Sequence, residues 1–189
     1  MTALRADETS ADGGAAEARS LDALYRAHAA TVARWAAHLG GPMVDVEDAV
    51  HEVFLVVRRR LPEFRGDAKI TTWLYRITER IVRGARRRDR LRRWLDLVRR
   101  GDVEESLSPP RLSPVDELER RQSRDSVYVV LDRLSEKYRR VLVLFELEEL
   151  SGEEIAALTG VKLATVWVHL HRARALFLAE LNRDLGEPS

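Results

Sequence analysis

No cysteine occurs among the 189 residues, so disulfides and thiolate metal sites are excluded. The absence is compatible with a reducing compartment, and a cytoplasmic protein is expected. No stretch approaches the roughly 20 consecutive apolar residues that a membrane span needs, so no membrane insertion is expected. The first 19 residues lack the apolar run of a signal peptide. No alternating, strand-like run stands between turns, and no internal repeat is visible.

Catalytic signatures are missing as well. There is no glycine-rich phosphate loop and no nucleophile elbow. The five histidines (28, 38, 51, 169 and 171) show no ligand spacing with a carboxylate cluster. Asp48-x-x-His51 beside Glu52 has the look of half a helical di-metal site, but such sites need a second matching motif. The expectation is a protein that is not an enzyme, with no cofactor, no metal and no small-molecule substrate.

What is present is charge, unevenly placed. One residue in three is charged, yet the net charge is only +1. Residues 20–94 hold 16 Arg and Lys against 9 Asp and Glu, whereas residues 115–189 hold 11 against 14. The basic first half suits a polyanionic partner, and it equally suits a solvated arginine-rich face.

Apolar residues recur at helical spacing in five stretches. The first runs from Leu21 to Leu39 and stops at Gly40-Gly41-Pro42. The second runs from about Asp45, a candidate N-cap, to Arg60, with Glu47 and Asp48 in its first turn, where the helix dipole favours anions. A loop bracketed by Pro62 and Gly66 leads to a third helix, expected over residues 70–93. Beyond Ile81 its pattern gives way to charge, with seven arginines between Arg83 and Arg93. Pro109, Pro110 and Pro114 mark a linker. Two further helices are expected over 115–132 and 135–149. The organisation reads as a disordered tail (1–19), a helical domain (20–94), a linker (95–114) and a second helical domain (115–185). The fold class is all-α: two small helical domains joined by a flexible linker, with a C-terminal helix-turn-helix.

Residues 150–177 carry that last motif. Ser151-Gly-Glu-Glu154 is a capping box, with Leu150 and Ile155 placed as its hydrophobic staple. Gly160 stands where the turn needs a left-handed backbone. The following helix buries Val166, Leu170, Ala173 and Phe177, leaving Lys162, Thr165, Val168, His169 and Arg172 to face outward. The second helix of such a unit can lie in the major groove. Arg172 and Arg174 suit phosphate or guanine, although a solvated or charge-paired role competes for Arg174. Trp167 lies off the buried stripe, and packing against the preceding helix is favoured over base contact.

Two blocks now carry a family likeness. Residues 45–55, Leu61-Pro-Glu-Phe-Arg-Gly66 and Thr72-Trp-Leu-Tyr-Arg-Ile77 are similar to region 2 of the extracytoplasmic-function sigma factors, specificity subunits of bacterial RNA polymerase. Residues 134–142, Leu150-Ser-Gly-Glu-Glu-Ile-Ala156 and Leu170-His-Arg-Ala-Arg174 are similar to region 4. Together the blocks cover about residues 20–182. The resemblance implies that Asp45, Asp48, His51, Glu52 and Phe54 bind the polymerase clamp helices. It implies that Lys69, Thr71, Thr72, Trp73, Arg76, Arg80 and Arg83 recognise and melt the −10 element. Lys162, Thr165, Val168, His169, Arg172 and Arg174 fall to the −35 element. Core RNA polymerase, promoter DNA and an anti-sigma factor clasping both domains are the implied partners.

The chain departs from the family pattern in three places. His51 replaces the usual Gln, Arg80 replaces a frequent Asn, and Trp167-Val168-His169 replaces the usual Lys-Ser-Arg. Two cations are lost from the recognition helix, so a −35 element unlike the common type and weaker phosphate anchoring are expected. A stand-alone helix-turn-helix regulator is the competing reading, but it leaves the acidic helix and the arginine run without a role.

Overall fold

The computed structural model describes residues 20–100 and 126–185. The expected tail, most of the expected linker and the start of the helix expected over 115–132 lie outside the described residues. Seven α-helices are present among those described: α1 Leu21–Gly40, α2 Val46–Arg60, α3 Ile70–Arg100, α4 over 126–133, α5 Glu136–Glu146, α6 Gly152–Thr159 and α7 Leu163–Leu185.

Local chemistry sets the ends. Ser20 caps α1, its Oγ accepting from the Ala23 amide at 3.1 Å. Gly41 closes α1 with φ +70°, and a Cβ there would lie 2.6 Å from the Tyr128 ring, so both conformation and space require glycine. Asp45 caps α2 as expected, accepting from the Asp48 amide at 3.0 Å. Ser135 has the extended N-cap backbone, but its side chain makes no capping bond. Val141–Phe145, short and apolar enough to pass for a strand, lies within α5.

The third helix exceeds its expected end at Arg93 and continues to Arg100. Its early turns bury Leu74, Tyr75, Ile77, Ile81 and Val82. Its last turns leave Leu91, Trp94, Leu95 and Val98 exposed. Loss of apolar burial therefore marks the limit of the core and not the limit of the helix.

In the first half α1 packs on α2 and α3; in the second, α5 and α6 pack on α7. Val32, Val53, Val57 and Leu74 are fully enclosed in the first layer, and Val141, Leu144, Ile155 and Val166 in the second. Each stabilises the fold by about 1.5–3 kcal/mol relative to exposure.

The described parts of the two halves pack directly on each other, α3 against α6 and α1 against α5. The apolar cluster is continuous across them. Charge reinforces the contact. Arg139, 1% exposed, donates to Asp132 Oδ1 at 2.9 Å and to the Leu39 carbonyl at 2.9 Å. Burial and the neighbouring Arg86 push its guanidinium down to about 10. Arg86, also buried, reaches Asp132 and Glu136, both at 2.8 Å. Glu148, with its carboxylate 1% exposed, is held by Arg34 at 2.9 Å and by His38. Arg140 pairs with Glu79 at 2.8 Å. Apart from Arg139–Asp132, these bonds join residues 46–114 positions apart in sequence, which helical periodicity cannot reveal.

Candidate nucleic-acid interface

On α2, Asp48 and Glu52 stand exposed at i and i+4, with Glu47 and His51 exposed beside them. Leu55, 38% exposed, lies on the same face one turn further on. Periodicity did not single it out, because one apolar residue within an acidic face carries no repeat. Asp45 spends one carboxylate oxygen on the helix cap. Phe54, to which the resemblance gives a polymerase contact, does not lie on the surface. It is buried and edge-on to Tyr25 at 4.8 Å, so it supports the strip from beneath.

On α3, Arg76, Arg80 and Arg83 are exposed and fall on one helical face, continued by Arg87. The last was missed in sequence, where it is one of seven arginines in a run and only the three-dimensional face picks it out. Among the described residues none of the four pairs with a carboxylate, while Arg86, Arg88, Arg90 and Arg93 do. Trp94, 56% exposed, prolongs the same face. At the other end Trp73 is half-buried, its ring 4.9 Å from Phe64 at 38°, which ties the Leu61–Gly66 loop to the helix start. Lys69 is exposed and Thr71 half-buried. Thr72 is buried at 9%, so its assignment to DNA is corrected: it faces the core. An unneutralised cation row with aromatic groups at both ends suits a single strand, through phosphate attraction and base stacking.

In the helix-turn-helix the capping box is complete. The Glu154 amide donates to Ser151 Oγ at 3.2 Å, and the Ser151 amide donates to Glu154 Oε2 at 2.8 Å. The latter bond holds the Glu154 carboxyl below its ordinary range. Gly160 takes φ 73°, ψ 14°. Lys162, Val168 and Arg172 are exposed and Thr165 is half-buried. His169, expected to face outward, is half-buried. It turns onto Tyr138, ring centroids 5.5 Å apart, with Nδ1 buried and without a hydrogen-bond partner among the described residues. Its burial, together with Lys137, Arg140 and Arg172, holds the imidazole below its ordinary value. Arg174 is exposed yet engaged, 2.7 Å from Glu146 and 5.0 Å from the Phe145 ring. Trp167 packs on the start of α6 as favoured, while keeping 45% of its surface open.

Family models match both halves: Sigma-70 region 2 over residues 24–100 and Sigma-70 region 4 over residues 124–177. The chain is 35% identical over 173 residues to the ECF RNA polymerase sigma factor SigE of Mycolicibacterium smegmatis, covering 87% of this chain and 62% of that protein. It is 34% identical over 142 residues to the ECF RNA polymerase sigma-E factor of Escherichia coli, covering 70% of this chain and 72% of that one. Among solved structures it resembles CnrH in complex with the cytosolic domain of CnrY, at 28% identity and a TM-score of 0.59, covering 90% of this chain and 96% of that one. Two region models in order, acidic and basic helix faces, and a capped helix-turn-helix agree: the chain belongs to the extracytoplasmic-function RNA polymerase sigma factors.

Proposed function

We propose that this chain binds core RNA polymerase and directs it to promoters, reading the −35 element with α7 and recognising and melting the −10 element with α3. The observation that carries the reading is the cation row Arg76–Arg80–Arg83–Arg87. Four exposed guanidinium groups on one face, none of them paired with a carboxylate among the described residues, are suited to phosphate. Lys69, Thr71 and Trp73 stand at the helix start, where a base leaving the stack would be received. The acidic strip of Asp48 and Glu52, with Leu55 at its end, offers the complementary face for a basic region of the polymerase, with Asp45 and His51 beside it. The chemistry of RNA synthesis belongs to the polymerase. This chain supplies binding, positioning and strand separation, acting in the cytoplasm.

In the present arrangement a Cβ at Gly160 would lie 3.1 Å from Arg76 Nη2. The melting helix and the recognition unit therefore abut. Engaging two separated promoter elements requires the halves to part. A regulatory protein that holds them together, an anti-sigma factor, would keep the chain inactive, and CnrH is solved in complex with the cytosolic domain of CnrY.

The test is a pull-down with core polymerase at low salt, followed by run-off transcription on a genomic fragment library. The double variant Asp48→Lys/Glu52→Lys is expected to abolish association while leaving thermal unfolding unchanged. Arg80→Ala/Arg83→Ala is expected to keep association and lose open-complex formation. Wild-type chain that shifts duplex DNA alone and ignores the polymerase would establish the stand-alone regulator instead.

A further inference from the structure

Recognition helices meet base edges with the side chains of their first turns. In α7 those open side chains are Leu163, Ala164, Trp167 and Val168, with Lys162 before them and His171 one turn beyond. Leu163 is 37% exposed, Trp167 45% and Val168 48%. None is an amide, carboxylate or guanidinium of the kind that reads hydrogen-bonding base edges. The exposed part of this helix that is best placed to specify sequence is apolar.

The apolar group is also fixed in place. A Cβ on Gly152 would lie 2.5 Å from Trp167 Cζ2 and 3.1 Å from Leu163 Cδ1, so both side chains sit directly on the backbone at the start of α6. The Phe145 ring stands edge-on to the indole at 6.0 Å. An immobilised indole gives up little rotamer freedom when it meets a ligand. Lys162 and Arg172 lie exposed at the edges of the surface, placed to meet phosphates on either side.

The major-groove edge of DNA has one apolar feature, the C5-methyl of thymine. Resting on the promoter-reading role proposed above, we infer that Leu163, Trp167 and Val168 form an apolar wedge that selects the −35 element by thymine methyl groups. The cations at its edges set register and the wedge supplies discrimination.

The experiment uses the full chain bound to core polymerase. Promoter fragments randomised across the −35 element are selected for binding, and recovered thymines are then replaced one at a time by deoxyuridine. That exchange removes a methyl and leaves every hydrogen-bonding group unchanged. Burial of one methyl corresponds to roughly a fourfold change in affinity, so about that loss is expected at each contacted thymine and none in the spacer. Val168→Ala is expected to reduce the methyl dependence without affecting folding, since its side chain is half exposed; Trp167→Ala should reduce it further. Equal binding of thymine and deoxyuridine elements overturns the inference, as does an equal loss for wild type and Val168→Ala. Recovery of a −35 element with no methyl dependence would leave the promoter-reading role intact and remove only the wedge. Recovery of no −35 element at all removes both.

Discussion

Replacing Arg139 by methionine should loosen the contact between the two halves of the chain. The guanidinium is enclosed and makes two hydrogen bonds, to Asp132 and to the Leu39 carbonyl, each at 2.9 Å. Bonds to a charged group stabilise by about 1.5–3 kcal/mol each. Methionine fills most of the space but makes neither. Asp132 keeps Arg86 at 2.8 Å, so its carboxylate remains compensated. The Leu39 carbonyl does not, and a buried acceptor left without a donor costs about 1–3 kcal/mol. Against this, the variant removes a charge that burial and Arg86 already disfavour. The balance is a loss of roughly 2–4 kcal/mol, or about 5–15 °C in Tm for a chain of this size. Arg139 ties the end of α1 to the second half, so the radius of gyration in small-angle X-ray scattering should rise in the same variant. Arg139→Lys, which keeps a charge but not the two-pronged donor, should fall between. A variant that unfolds within about 0.5 kcal/mol of wild type, at unchanged radius, would refute the clasp.

Gly152→Ala tests the seat of the recognition helix. Alanine is the better helix former by up to about 1 kcal/mol, so the collision with Trp167, and the tight contact with Leu163, are what can make the change harmful. A net loss of about 1–3 kcal/mol is expected, relieved in Gly152→Ala/Trp167→Ala; equilibrium denaturation that shows a gain in the single variant contradicts the geometry. Tyr75→Phe should stabilise by about 1 kcal/mol, because the Tyr75 hydroxyl is buried without a partner among the described residues while the ring contact with Trp35, at 5.4 Å, is retained; a lower Tm would show that the hydroxyl is satisfied. His169 predicts a pH dependence. Its folded-state value lies below the ordinary 6.5, so the unfolded chain takes the proton first as pH falls. The stability it contributes is therefore present above 6.5 and is lost as pH drops through the window beneath it. Thermal unfolding between neutral and mildly acidic pH should show a weaker dependence in His169→Gln than in wild type, and parallel curves would exclude the effect.

The elements that sequence made legible are those whose cause is local. Asp45, the Ser151–Glu154 capping box and Gly160 act within a few residues of themselves, and each stands in the structure as its spacing implies. The helical stripes of α1, α2 and the first half of α3 are legible for the same reason: burial on one face imposes a 3.6-residue period. Where the cause is not local, sequence is less informative. The resemblance gives Phe54 and Thr72 binding roles because the family motif runs through them, yet both are buried: a motif records which positions matter and not which way they face. His169 lies on the flank of α7 that α5 covers, and nothing in residues 163–177 announces Tyr138.

The arginine run shows the limit most clearly. In sequence the arginines from Arg83 to Arg93 are equivalent. In the fold six of them separate into two sets by whether a carboxylate is within reach, and the seventh, Arg92, is exposed with no ion pair among the described residues. One set, Arg86, Arg88, Arg90 and Arg93, holds carboxylates, with Arg86 and Arg90 reaching Glu136 in the second half of the chain. The other, Arg83 and Arg87, continues the face begun by Arg76 and Arg80. A single basic helix thus does two things, clasping the second half of the chain through Arg86 and Arg90 and presenting open cations at Arg80, Arg83 and Arg87. Substitution should separate them. Losing Arg86 should cost compactness and stability, whereas losing Arg80 and Arg83 should cost strand capture alone. If both losses had the same effect, the division of the run into paired and open arginines would have no functional meaning.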